Sequence, residues 1–307
     1  MRAASVPSAD VRVGAFMTSF STYRGYVCLA LLLLATHAAM GQDALQEPPP
    51  CSQTSKSYTE ERCLNDLANY YWDKGKHDDE VMILKRLLSI QERKPGPGGL
   101  DLATTLRRLG YAYISAGRYS EAQPVLSRAL GIQEKALGQY DREVSNTLRL
   151  LGQAYLYERR NAEAEDSFAR ALTIRQKALP PRNPGYPDVA ESFDDLGVLY
   201  ESEGKLSEAE GSFEHSLAVR EKSLTPDNYL IARSLDYAAR VYTSEKKYRE
   251  AEPLFQRALK ILEQSTEPNT AVDVLQDYAK LLAETNRTSE AQSLRTRAQA
   301  ILERNPR

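Results

Sequence analysis

Residues 186–224 read YPDVAESFDDLGVLYESEGKLSEAEGSFEHSLAVREKSL, and the spacing of small and apolar side chains there decides the fold. Pro187–Asp188–Val189–Ala190 leads into Leu196, Gly197 and Tyr200. After Glu203–Gly204–Lys205 come Ala209, Phe213 and Leu217. Apolar residues three and four positions apart lie on one side of a helix, so the two blocks read as two amphipathic helices joined by a tight turn. The unit recurs. Gly197 has counterparts at Gly110, Gly152, Ala239 and Ala279, at intervals of 42, 45, 42 and 40 residues. Ala209 is matched by Ala122, Ala164, Ala251 and Ala291 at the same four intervals, and Tyr200 by Tyr113, Tyr155 and Tyr242 in step. Independent columns sharing one set of spacings make this a repeat protein.

Each column has a physical reason. Glycine or alanine inside the first helix lets the second helix approach closely, where a larger side chain would hold the axes apart. A glycine there costs about 1 kcal/mol relative to alanine, so packing must offset it. The second helix carries Ala at two sites seven residues apart (Ala122 and Ala129, Ala164 and Ala171, Ala251 and Ala258, Ala291 and Ala298), with Ser216 at the second site of the central unit. Leu126, Phe168, Phe213 and Phe255 sit between them as the bulky partner.

This Leu-Gly, Tyr, Ala, Phe, Ala order resembles the tetratricopeptide repeat, whose ordinary unit is about 34 residues. The units here are longer by roughly a helical turn in each helix, and segments such as Tyr119–Pro124, Arg128–Gly138 and Pro187–Ala190 resemble the long repeats of kinesin light chains and their prokaryotic relatives. The resemblance covers roughly residues 61–303. It implies an all-α fold, a right-handed α-solenoid of about six antiparallel helix hairpins, in which the first helices line a concave groove that takes an extended peptide or a helix. It says less about function, because one architecture serves many jobs.

The expected repeats are about 61–93, 100–138, 139–179, 186–224, 228–265 and 269–303, within a solenoid spanning 58–307. In the first, Glu80 and Leu87 replace the two alanines, as suits a terminal unit with one side toward solvent. Gly117 and Gly204 supply the turn residue in two units, and Arg159 and Lys246 stand in for it in others. The six units form one elongated domain, since each contacts only its neighbours.

The N-terminal region stands apart. Val27–Ala35 is a short apolar run with Arg24 before it and Ala38–Ala39–Met40–Gly41 after it, the order of a secretory signal peptide over residues 1–41. The run is shorter than the roughly 20 residues of a spanning helix. Cleavage near Gly41 with export to a periplasm or the exterior is the expectation, an uncleaved membrane anchor the alternative, and Met17 an alternative start. Residues 42–57 form a linker, non-helical at Glu47–Pro48–Pro49–Pro50. Cys51 and Cys63 then read as a disulfide if the chain is exported, or as two thiols if it is not.

No catalytic constellation is present. His77 and His215 lie on different repeats without acid–base partners, and Pro95–Gly99 lacks the Lys–Ser/Thr of a phosphate loop. Two thiolates and one histidine do not complete a zinc site, so neither a metal nor a cofactor is expected. Lys+Arg 40 against Asp+Glu 42 removes a whole-chain electrostatic case for nucleic acid. The chain therefore reads as a non-enzymatic scaffold that binds a protein or peptide, its mature part outside the membrane. A self-associating structural solenoid or a regulatory subunit of a cell-envelope enzyme are the alternatives.

Helical phase assigns the groove face to Asn65, Asn69, Arg107, Arg108, Tyr111, Asn146 and Arg149 in the first units. Asp194 and Asp195 follow in the middle, then Arg233 and Arg240. The N-terminal part is basic, and arginine offers a planar donor pair to carboxylates, so an acidic segment or a free C-terminus is the expected occupant. The competing reading of these charges is an ordinary solvated helix face.

Overall fold

The computed structural model describes residues 60–94, 99–177, 187–263, 265 and 267–304. Among them are twelve α-helices and no strand, in the order α1 (Glu60–Asp73), α2 (His77–Glu92), α3 (Leu100–Ser115), α4 (Tyr119–Leu137), α5 (Arg142–Tyr157), α6 (Asn161–Lys177), α7 (Pro187–Ser202), α8 (Leu206–Ser223), α9 (Tyr229–Ser244), α10 (Tyr248–Leu262), α11 (Pro268–Glu284) and α12 (Thr288–Arg304). They pack as six hairpins, each odd-numbered helix against the even-numbered helix that follows it. Successive odd helices also touch one another, more closely than successive even helices do. The odd row is therefore the inner, crowded layer of the stack and the even row the outer one.

The small-residue column does what its spacing implies. A Cβ built on Gly152 would lie 2.5 Å from the Phe168 ring, and one on Gly197 would lie 2.5 Å from the Phe213 ring. Both rings are sealed, as is Phe255, which packs in the cluster of Ala239 and Ala251. Burying such a ring contributes about 1.5–3 kcal/mol. Ala122, Ala164, Ala209, Ala251 and Ala291 show no exposure at all.

The turns inside the hairpins share one geometry. Gly75, Gly117, Arg159, Gly204, Lys246 and Asn286 occupy one column and all have positive φ, between 59° and 73°. The next residue closes a helix C-cap by donating its amide to the carbonyl of the tyrosine column: Arg118 to Tyr113 at 2.8 Å, Arg160 to Tyr155 at 2.9 Å and Lys247 to Tyr242 at 2.8 Å. The charged head of the same residue then lies over that ring, with Arg160 at 4.5 Å and Arg118 at 4.8 Å from the centroid. One Tyr-x4-Arg/Lys pair thus fixes both backbone and side chain of four of the six turns. At the other ends, Asp141 caps α5 and Asn228 caps α9 through their side-chain oxygens.

A buried polar column joins the second hairpin to the third, the third to the fourth and the fourth to the fifth. Gln133, Arg175 and Arg220 occupy one position near the ends of α4, α6 and α8, facing Thr147, Ser192 and Ser234 of the following first helices. Thr147 donates to Gln133 at 2.6 Å. Arg175 donates to the Ser192 hydroxyl at 2.8 Å and the Asp188 carbonyl at 2.6 Å. Arg220 is 1 % exposed, pairs with Asp194 at 2.5 Å and also donates to Ser216 and Ser234. Ser216 departs from the alanine column because its hydroxyl completes this cluster by donating to Asp194. Burial pushes the Asp194 carboxyl up from its ordinary value, and the Arg220 charge works against that push. At the next junction the pair is apolar, Leu262 and Val274.

Two predictions follow from this packing. Gly152→Leu overfills the contact with Phe168 and lowers stability by about 1–3 kcal/mol or more, whereas Gly211→Ala, on a helix face with open space beside it, raises stability by up to about 1 kcal/mol. Urea unfolding midpoints moving in opposite directions are the expected outcome. Arg220→Ala leaves Asp194 buried without its partner and costs about 3–5 kcal/mol. A loss no larger than that of an exposed control such as Arg249→Ala contradicts the assigned role.

Candidate functional site

Every residue assigned to the groove by helical phase lies on an odd-numbered helix, but the structure distributes them along the inner layer in three different situations. The largest group is engaged in ion pairs between successive first helices. Arg107 on α3 meets Glu143 on α5 at 3.4 Å. Arg149 on α5 meets Glu191 and Asp195 on α7 at 3.5 and 3.8 Å. Arg240 on α9 pairs with Glu201 on α7 and reaches Asp277 on α11 at 4.0 Å. These charges bind the inner layer to itself. The Asp195 side chain is only 13 % exposed, and burial pushes its carboxyl up to about 7 against the pull of Arg149.

The second situation is burial. Asp194, expected on the groove surface, is instead a core residue, held beneath the face by Arg220, with Arg233 at 3.7 Å. The reason is the arginine at the end of α8, which draws the carboxylate inward. Asn146 is likewise engaged, accepting from buried Arg175 at 3.2 Å.

The third situation is a compact cluster on α1, α2 and α3. The Arg108 guanidinium donates to the Asn65 side-chain oxygen at 2.9 Å and to that of Asn69 at 2.7 Å. Both acceptors are neutral. Tyr111, one turn further along α3, packs its ring 4.6 Å from Trp72, which is 39 % exposed. Next to Trp72 lies His77, and Glu80 is buried one turn further along α2. Their closest atoms are 3.6 Å apart, and neither His77 Nδ1 nor Glu80 Oε2 has a hydrogen-bond partner. Burial raises the Glu80 carboxyl, the Arg108 charge opposing it. Thus Asn65, Asn69, Arg108 and Tyr111 are brought together, and Trp72, His77 and Glu80 are members that helical phase did not single out. The signal for Glu80 was its place in the alanine column.

Cys63 on α1 is disulfide-bonded. Its expected partner Cys51, together with the signal peptide and linker, lies outside the described residues. At the other end of the layer a shallow depression is lined by Glu201, Arg240, Thr243, Ser244, Asp277 and Lys280. Among the described residues, no three or more His, Cys, Asp or Glu side chains are grouped to hold a metal ion, and no helix is long and apolar enough to cross a membrane.

Comparison with known proteins bears on the architecture. The tetratricopeptide repeat model matches residues 59–135, 101–177 and 188–264. Solved structures of similar fold include nearly identical TPR-like repeats of a kinesin light chain from Podosopora anserina, 23% identical over 66% of this chain and 93% of that one, with a TM-score of 0.57. BtubC from P. vanneervenii is 21% identical over 64% of this chain and 78% of its own, with a TM-score of 0.55. A Rap protein complexed with Competence and Sporulation Factor is 16% identical over 80% of this chain and 75% of its own, with a TM-score of 0.56. No curated protein matches the sequence. At these identities the structures share the fold, and tetratricopeptide repeats in general mediate protein–protein interaction. The six hairpins, their small-residue columns and the matched segments make this chain a member of the tetratricopeptide repeat family.

Proposed function

We propose that the chain is an exported scaffold that holds a segment of a protein partner on the inner layer of its first two repeats, with a partner carboxylate seated on Arg108. The observation that carries this reading is the bonding of Arg108. Its two side-chain hydrogen bonds go to amide oxygens, whereas Arg107, Arg149, Arg233 and Arg240 all lie within 4.0 Å of a carboxylate. A guanidinium pre-oriented by neutral hydrogen-bond acceptors leaves little ordering to do when an anion binds. The Trp72–Tyr111 pair beside it offers apolar surface to the rest of the segment. The Rap neighbour, complexed with a factor, is a fold-level parallel. Residues such as Arg149 and Asp195 act on this reading as rungs that hold the inner layer in shape.

Export is part of the proposal. The apolar run at Val27–Ala35 supports it, and so does the disulfide at Cys63, since such bonds persist in oxidising compartments. N-terminal sequencing of protein from the native host is expected to give a mature chain beginning near Gln42. A cytosolic chain starting at Met1 or Met17 removes the export half of the reading.

For the binding half, wild-type chain and Arg108→Gln are immobilised and exposed to the contents of the native compartment. The retained partner is mapped by cross-linking and its affinity measured for both forms. Loss of a charge-assisted pair worth about 1.5–3 kcal/mol is expected to weaken binding about ten- to a hundredfold, with an acidic or C-terminal partner segment cross-linked to α1 and α3. A partner held equally by both forms contradicts the placement.

A further inference from the structure

The alanine column of the second helices holds Ala122, Ala164, Ala209, Ala251 and Ala291, all fully buried, but in the first repeat it holds Glu80, 2 % exposed. A buried glutamate in a position built for a methyl group is costly unless its charge is answered. The answer is incomplete. Glu80 Oε2 has no partner within ordinary hydrogen-bond length and meets only His77 Nδ1, at 3.6 Å. Arg108 on α3 acts on the same carboxylate through space, yet directs its two hydrogen bonds to Asn65 and Asn69. Glu80 is therefore a buried carboxylate that Arg108 attracts without bonding to it.

We propose that Glu80 is an internal competitor for Arg108, so that an external carboxylate and the Glu80 carboxylate share one guanidinium and binding of the first is coupled to proton uptake by the second. This deepens the preceding reading and rests on it. The argument is electrostatic. A single guanidinium flanked by two carboxylates in a poorly solvated place favours the state in which one of them is neutral. The external group is the better solvated and stays ionised; Glu80, already raised by burial, is the one that takes the proton. As pH falls and Glu80 takes up its proton, the charge competing for Arg108 is removed and the seat gains affinity. As pH rises, Glu80 ionises and draws on the same charge. The groups acting on Glu80 are Arg108 from α3 and His77 from its own helix; Asn65 and Asn69 of α1 bond to Arg108 and carry no charge. The site thus selects acidic partners and binds them more tightly in mildly acidic surroundings.

Trp72, the one tryptophan of the chain, lies 5.8 Å from His77 and 4.6 Å from Tyr111 by ring centroids, so its fluorescence reports on the cluster directly. The probe is tetra-aspartate, whose carboxylates stay largely ionised at about pH 5 and above. It is titrated at about pH 5 and about pH 8 into wild type, Glu80→Gln, Glu80→Ala, His77→Gln and Arg108→Gln, each checked for folding by circular dichroism. Wild type is expected to bind severalfold more tightly at the lower pH. Both Glu80 variants are expected to bind tightly at both, His77→Gln to keep the wild-type pH dependence, and Arg108→Gln to bind weakly throughout. Glu80→Ala restores the residue type of the other repeats and guards against a glutamine that does not fit.

Binding that depends on Arg108 but is the same at both pH values overturns the competition and leaves the carboxylate seat standing. A pH dependence that persists in both Glu80 variants also overturns it, and one lost only in His77→Gln transfers the role to the histidine. No binding by any form, or binding indifferent to Arg108→Gln, overturns the seat and the competition together.

Discussion

The close approach of two helices at a missing side chain is the contact on which the rest of this molecule depends. A phenyl ring lying where the Cβ of Gly152 or Gly197 would be sets the spacing of its hairpin, and the hairpin spacing sets the pitch at which inner helices follow one another. Everything on the inner layer, from the ion pairs of Arg149 and Arg240 to the asparagine cradle of Arg108, requires neighbouring helices at that separation. A repeat fold multiplies the requirement, since each unit contacts only those beside it and errors of spacing accumulate along the stack.

The sequence was legible where a constraint was repeated. The small-residue, tyrosine and turn columns recur because each hairpin solves the same steric problem, so their meaning survives inspection of letters alone; even Arg159 and Lys246, which carry no glycine signal, were placed in the turn by register. Helical phase likewise put Arg108 and Arg149 on the inner face. Phase does not report what a side chain on that face is bonded to, and so it treated Arg149, engaged with Glu191 and Asp195, as equivalent to Arg108, whose hydrogen bonds go to amides. It also read Asp194 as a surface acid.

The single-copy features were harder to read for a related reason. Glu80 looked like decay of a terminal repeat, since a charged residue at a core column is the ordinary sign of a lost constraint. Arg175 and Arg220 fell at the ends of helices, where basic residues commonly face water and complement the helix dipole. Only the matching hydroxyl column at Thr147, Ser192 and Ser234 hinted that a donor comes from the opposite side. Each polar residue was visible, but the pairing runs between columns of different helices, a relation that periodicity within one column does not contain.

That inter-hairpin column has a consequence for how the protein can change over evolutionary time. Solenoids grow and shrink by duplication and loss of whole units, which is harmless when every junction is the same. Here the junctions differ: an amide meets a threonine, then a guanidinium meets a serine at two successive junctions, then leucine meets valine. Loss of the hairpin that follows α8 would set Arg220 against a valine, a mismatch of several kcal/mol. The order of the units is thereby written into their interfaces, and the chain behaves as a keyed sequence of parts with a fixed length rather than as an extensible array.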